Sequence, residues 1–304
     1  MSPISGTTIC VTSDELPAVY RSADSASLKA QARFVSATFL SLCALVAGAL
    51  VSAGAPSSLD GKAFVAWLSA AFLAIGLVVT LAIKAQRKDK IWYSGRALAE
   101  SVKSLAWRYM VAAEPFGKTD ADANVDARFL KSLGEVLSAA KTALGEGGGA
   151  SKGDDQITAA MRAARALPLA DRIEVYVRCR IDEQRSWYSS KADANANLAN
   201  RYYWYTVAAQ LAAVILALVR VHYPEEGFHA AGPLAALAAA LIAWAQLKRF
   251  QEHAQAYSVA SHELGLVKER ARHLHGEAEF SAFVSDSENA ISREHILWLA
   301  RRDS

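Results

Sequence analysis

The sequence predicts an all-α membrane protein: two transmembrane helical hairpins, four spans in all, with long helices extending into a cytoplasmic helical bundle. Three observations carry this expectation. Four stretches, Phe34–Leu59, Ala63–Ile83, Tyr202–Val219 and Gly227–Leu247, contain no Asp, Glu, Lys or Arg. Each is close to or above the ~20 residues that cross a ~30 Å hydrocarbon core at 1.5 Å per residue. Basic residues crowd one side of these stretches, and apolar residues at helical spacing continue beyond them.

The 304 residues carry a net charge of only +3, which argues against nucleic acid as a partner. The 53% hydrophobic content is informative because it is gathered into those four runs. Cys10, Cys43 and Cys179 are far apart, so their spacing suggests neither a disulfide framework nor a zinc site, and a thiol-bearing chain in a reducing compartment is expected. A cleaved signal peptide fits poorly, because more than thirty mostly polar residues precede an apolar run longer than a signal-peptide core.

The first unit, residues 1–145, holds spans at about 34–53 and 63–83, with Pro56 in the turn between them. After the second span, Ile91, Leu98, Val102, Leu105 and Tyr109 keep a helical stripe, so this span is expected to run on as one long helix toward Pro115. Phe129, Leu130, Leu133, Val136, Leu137, Ala140 and Leu144 then predict an amphipathic helix over Asp126–Leu144. Residues 146–156 read as a glycine-rich linker; a phosphate-binding loop fails there because Gly153, not Ser or Thr, follows Lys152.

The second unit, residues 157–304, holds spans at about 202–219 and 227–247. Pro168 separates two helices ahead of them, Pro224 lies in the outer turn, and Pro233 should start or kink the fourth span. Beyond it, Phe250, Ala254, Tyr257, Leu264, Val267, Ala271, Leu274 and Ala278 again predict a continuing helix. Ser285 and Glu288 are spaced as a capping box that would open a last helix, docked by Ile291, Trp298 and Leu299. A shift of 164 positions lays Ala63–Ile83 on Gly227–Leu247 and Lys84 on Lys248, the mark of a parallel tandem repeat.

Catalytic patterns are scarce, and no enzyme, metal site or cofactor is expected. His262-Glu263 begins like a zinc-protease helix but lacks the second His, and His273 and His275 are two apart and diverge on a helix. The spans hold no formally charged side chain, which disfavours pumps and coupled transporters. Their informative polar groups are Thr206, Gln210 and Gln246, the candidate pore-lining residues. Gln210 lies near mid-membrane, where an amide bonds a neighbouring helix or lines a water path. Small residues recur every four positions around Gly48 and Ala239, the candidate helix-packing faces. Four spans are too few to close a pore, so conduction would require a homo-oligomer.

Arg180-Ile181-Asp182-Glu183-Gln184-Arg185-Ser186-Trp187-Tyr188 and Ser292-Arg293-Glu294-His295-Ile296-Leu297-Trp298 make the second half resemble a SLATT domain, the SMODS- and SLOG-associating two-transmembrane effector family. Leu16-Pro17-Ala18-Val19-Tyr20, Ala23-Asp24, Ser27, Trp92-Tyr93-Ser94-Gly95-Arg96-Ala97 and Glu100-Ser101-Val102-Lys103 make the first half resemble another branch. The resemblance implies a bacterial inner-membrane effector of conflict systems that forms pores when an upstream sensor or a nucleotide-signal-producing enzyme reports infection. The alternative is a membrane-anchored adaptor or sensor that recruits a cytoplasmic partner without conducting. The family's Trp92-Tyr93 and Trp187-Tyr188 pairs stand nine and fourteen residues from the apolar edges, so packing between the cytoplasmic helices is their expected role. The tandem arrangement departs from a single hairpin per chain.

Of the basic residues flanking the spans, fourteen lie on one side and only Lys62 and Arg220 in the hairpin turns, so both termini are expected in the cytoplasm and the lipid bilayer around the spans. A periplasm-active reporter should therefore work when fused after Ser57 or Pro224 and stay silent after Gly148 or Ser304. Activity after Gly148 would overturn this topology.

Overall fold

The computed structural model describes residues 10–300 apart from 55, 57, 119–121, 145–154 and 224–228. Among the described residues the regular elements are all helical, with no strand: a short turn of 3₁₀ helix at Ser13–Glu15, then α1 (Ala18–Ser52), α2 (Leu59–Gln86), α3 (Lys88–Met110), α4 (Asp122–Leu144), α5 (Ala159–Ala166), α6 (Leu169–Tyr176), a π-helical segment (Val177–Asp182), α7 (Glu183–His222), α8 (Ala231–Lys248), α9 (Phe250–Ala271) and α10 (Glu277–Ala300). The chain divides into two compact units. A helical body comprises Met1–Gln31, Asp89–Ser189 and Ser258–Ser304, and a membrane unit comprises Ala32–Lys88 and Ser190–Tyr257.

Local chemistry explains the ends. Ser58 caps α2 by accepting a hydrogen bond from the Gly61 amide (3.1 Å), and Thr158 caps α5 through the Met161 amide (3.2 Å). Pro168 stands between α5 and α6, as its missing amide and fixed φ require. Pro233 falls at the third position of α8, inside the first turn, where an absent N–H costs no helical hydrogen bond. The glycine-rich stretch 146–156 lies outside the described residues except for Asp155 and Gln156, and so does Pro224.

The expected uninterrupted helices after spans two and four are each broken by one residue. Arg87 (φ 44°) ends α2 and Arg249 (φ 47°) ends α8, both left-handed, and α3 and α9 start at once on the far side. The apolar stripe reads through both breaks because a single residue shifts the register little. A left-handed conformation costs a residue with a Cβ about 1–2 kcal/mol. By contrast α1 and α7 contain residues of both units and are unbroken.

Within the helical body, Val102, Ala106, Met110, Phe116, Phe129, Met161, Tyr176, Ile181 and Val284 are almost fully buried. Tyr109, Phe116 and Phe129 form one ring cluster, with centroids 4.9–6.1 Å apart. Tyr176 meets Trp107 (5.9 Å), Phe280 and Phe283 (both 6.1 Å) edge to face. On α4, Phe129 and Leu133 face this core but Leu130 is exposed; it sits one residue round from the buried line, outside the contact stripe.

Three buried arginines fasten the body. Arg165 donates to the Tyr109 (2.9 Å), Phe116 (2.8 Å) and Gly117 (3.2 Å) carbonyls. Arg172 donates to Val111 (2.7 Å) and Leu167 (3.1 Å) carbonyls and pairs with Glu277. Arg180 grips Glu288 with two bonds, Nε to Oε1 (2.9 Å) and Nη2 to Oε2 (2.8 Å), while the Tyr176 hydroxyl donates to Oε1 (3.0 Å). Burial opposes the Arg180 charge, but the Glu288 carboxylate outweighs it and lifts its pKa above the ordinary value. Burial, then the adjacent Glu288 charge, raise the Tyr176 pKa well above the ordinary phenol range.

This geometry corrects the expected capping box at Ser285 and Glu288. The last helix begins eight residues earlier at Glu277, because Phe280, Phe283 and Val284 already bury against the core. Glu288, 0% exposed, is therefore a mid-helix ion-pair residue, not a cap. The side chains of Trp298, Leu299 and the whole Ser292–Trp298 motif lie outside the described residues.

Replacing Glu288 with Ala should destabilise the body by about 3–5 kcal/mol, since it strands a buried guanidinium, while Arg180→Met with Glu288→Leu should recover most of that loss. Denaturant unfolding followed by tryptophan fluorescence measures both. At the helix breaks, Arg87→Gly and Arg249→Gly should be neutral or stabilising by up to ~1 kcal/mol, because glycine avoids the left-handed strain at some entropic cost. Arg249→Val should lower the thermal midpoint in detergent instead.

Candidate functional site

Four helices are long and apolar enough to cross a membrane: Ala18–Ser52, Leu59–Gln86, the run Leu169–His222 and the run Ala231–Ala271. The chain is a multi-pass membrane protein on this evidence. Only 11–17% of each apolar window is buried within the chain, and Phe64, Trp67, Leu77, Leu218 and Val221 stand well exposed. Such a surface suits lipid, in which apolar side chains need no cover.

Inside the membrane unit the first hairpin pairs three of its hydroxyls along its own seam. Ser41 donates to the Gly76 carbonyl (3.2 Å) and lies 3.0 Å from the Thr80 hydroxyl, which itself donates to the Gly76 carbonyl (2.9 Å). One turn-pair further along, Ser69 donates to the Gly48 carbonyl (2.9 Å). These bonds need close backbones, and glycine supplies the clearance. A Cβ on Gly48 would stand 3.1 Å from Leu73 Cδ2, and one on Gly76 would stand 3.3 Å from Leu45 Cδ2. Gly48 thus serves the contact between α1 and α2 of one chain. Phe39 of α1 packs edge to face on Trp244 of α8 (5.4 Å), and the His229 amide donates to the Ala53 carbonyl (3.1 Å), so the two hairpins also touch within this unit.

The polar residues singled out in the second hairpin are placed differently. Gln210 is exposed, although its neighbour Ala209 is buried. Thr206, half-buried, donates its hydroxyl to the Tyr202 carbonyl of its own helix (2.8 Å). Gln246 is exposed on α8, and Ala239 is exposed beside the buried Ala238. The three polar side chains are therefore not gathered into a closed interior by one chain. Tyr203, Trp204 and Tyr205, all exposed, form an aromatic band at the start of the third span, and Lys248 lies over the Trp244 ring at 5.7 Å.

The Trp–Tyr motifs belong to the helical body. Trp92 and Tyr93 stack at 4.5 Å on α3, and the Trp92 carbonyl accepts from Ser27 of α1 (2.9 Å). Gly95, one turn on, lets α1 approach so closely that a Cβ would meet Ser27 Cβ at 3.2 Å. Tyr188 is buried, whereas Trp187 is 37% exposed, with 5.3 Å between their rings.

A cavity of about 230 Å³ opens in the same body, lined by Cys10–Ser13, Leu16, Lys103, Trp107 and Glu183. Burial, then the Arg180 charge, pull the Lys103 pKa below the ordinary lysine value. Trp107 Nε1 is buried without a hydrogen-bond partner. Cys10 forms a disulfide with Cys179 (Cα–Cα 5.6 Å), which corrects the expectation of isolated thiols. A pair separated by 169 residues leaves no trace in spacing; only the fold brings it together. Cys43 is free and exposed. His262 Nδ1 lies 2.7 Å from the Ser258 carbonyl of its own helix, His273 and His275 are exposed, and no cluster of metal-ligating side chains occurs among the described residues.

No curated protein and no solved structure matches the chain. Two family models do, back to back. Residues 17–173 match the SMODS and SLOG-associating 2TM effector domain 3, and residues 176–298 match the SMODS and SLOG-associating 2TM effector domain 1. Each match carries one of the apolar hairpins, and the first alone covers more than half of the chain, so the chain belongs to the SLATT family as two tandem SLATT domains.

Proposed function

We propose that several copies of this chain assemble in the bacterial inner membrane, with both termini in the cytoplasm, into a pore gated by a signal received at the helical body. SLATT domains are two-transmembrane effector domains of conflict systems, which supports the effector role. The observation that carries the pore is the exposure of Gln210, an amide in the middle of the charge-free run 202–219. An amide left in hydrocarbon without a partner is costly, so this face requires a neighbouring chain or a water path. Thr206 lies one turn before it on the same face and Gln246 is exposed on α8, giving uncharged polar residues suited to lining such a path. Ala239 offers a small exposed position for close approach between copies. The trigger is a product of an upstream sensor or nucleotide-signal-producing enzyme, which acts on the body, not on the spans.

Planar-bilayer recording on purified, reconstituted protein with and without cyclic nucleotides tests this reading. Current is expected with the right signal, and Gln210→Leu should reduce it several-fold while the native mass of the assembly stays the same. If Gln210 only bonds a neighbouring helix, the same change costs about 0.6–2 kcal/mol of packing, partly offset by better solvation in lipid, and any loss of current follows a loss of assembly. A protein that is monomeric at every concentration would remove the pore.

A further inference from the structure

The pore reading assigns no role to the Cys10–Cys179 disulfide. Cys10 is exposed and opens the arm that leads into the body. The arm is seated by Val11 and Leu16, both buried, by the Thr12–Glu15 capping box, and by Thr158, whose hydroxyl donates to the Glu15 carbonyl (2.7 Å). Cys179 is 5% exposed and sits in the π-helical segment Val177–Asp182. A π-helical segment is a rare element that recurs at functional positions. It also lies on the uninterrupted helical run Leu169–His222 that contains the third span and Gln210.

Resting on the reading that the body faces the cytoplasm, the pair stands where glutathione and dithiol reductases keep thiols reduced. Disulfides formed in such a compartment are transient and respond to redox state. Access is provided on one side only: Cys10 lines the open cavity of about 230 Å³ and Cys179 does not. We infer that Cys10–Cys179 is a reversible redox-modification site, opened by a dithiol reductant and closed by a small-molecule disulfide, which latches the N-terminal arm to the π-helical start of the third-span helix.

The chemistry balances. A reductant thiolate attacks Cys10 Sγ, the bond between the two sulfurs breaks, and Cys179 leaves as a thiolate that takes up a proton. The reductant's second thiol then displaces Cys10 and leaves as a disulfide, so two electrons pass to the pair. Closure runs through oxidised glutathione: one cysteine thiolate forms a mixed disulfide and releases glutathione, and the second cysteine displaces the other.

The test uses the full chain in membranes with Cys43→Ser, which removes the third thiol. The protein is equilibrated in mixtures of reduced and oxidised glutathione, quenched in acid, and tagged with a high-mass maleimide. The inference expects two tags to appear and disappear together across the mixtures. Hydrogen exchange of 177–182 and of the arm should quicken by about tenfold on reduction, and Cys10→Ser should match the reduced protein. A pair that never forms in oxidised glutathione, one that resists reduced glutathione without denaturant, or exchange that is the same in both states would each overturn the site. A C-terminal reporter in the same cells separates the two readings. Cytoplasmic termini with a pair that does not cycle overturn the latch alone, and termini outside the cytoplasm overturn the topology and the latch together.

Discussion

The ion pair between Arg180 and Glu288 holds the helical body in register, because neither partner is tolerable without the other. Arg180 is 2% exposed and Glu288 is fully buried, so each charge would be stranded if its partner moved. Their two parallel bonds fix α10 against the π-helical segment, and the Tyr176 hydroxyl on the same carboxylate ties in the end of α6. Around this point the apolar core closes, with Tyr176 meeting Trp107 of α3 and Phe280 and Phe283 of α10. Arg172 joins the Val111 carbonyl, just past α3, to Glu277 at the start of α10. Residues of both SLATT segments thus share one core, and neither segment forms that core by itself.

The membrane unit obeys a different constraint. Lipid supplies no hydrogen bonds, so polar groups must be met by protein or by enclosed water. The first hairpin meets that demand internally through Ser41, Ser69 and Thr80, with Gly48 and Gly76 bringing the backbones close. The second hairpin leaves Gln210 and Gln246 on its outside. The two repeats therefore differ: the first hairpin pairs three of its hydroxyls across its own seam, whereas the two glutamines of the second are exposed on the single chain.

Much of the fold was legible because lipid imposes a crude and strong rule. Long charge-free runs announced the four membrane helices, and Pro168 marked the pause between α5 and α6. What escaped is chemistry that depends on tertiary placement. Arg165, Arg172 and Arg180 look like surface arginines in the sequence, since nothing in their spacing shows that carbonyls and carboxylates from distant helices will surround them. Glu288 was misread because a Ser three residues before it fits a cap, and only the burial of Phe280, Phe283 and Val284 reveals a helix already under way. The breaks at Arg87 and Arg249 were invisible because arginine is a good helix former, so a left-handed arginine has no compositional signal. For the candidate site, the sequence singled out Gln210, Thr206 and Gln246 as polar, but which way each faces is set by packing alone.

The two left-handed arginines carry a mechanical consequence. An unbroken α-helix is stiff to twisting, so α1 and α7 pass a turn at one end on to the other. A single left-handed residue interrupts the hydrogen-bond ladder and acts as a swivel, so a turn in α3 or α9 need not reach α2 or α8. Each hairpin therefore has one torsion rod and one slipping leg, the same arrangement twice in one chain.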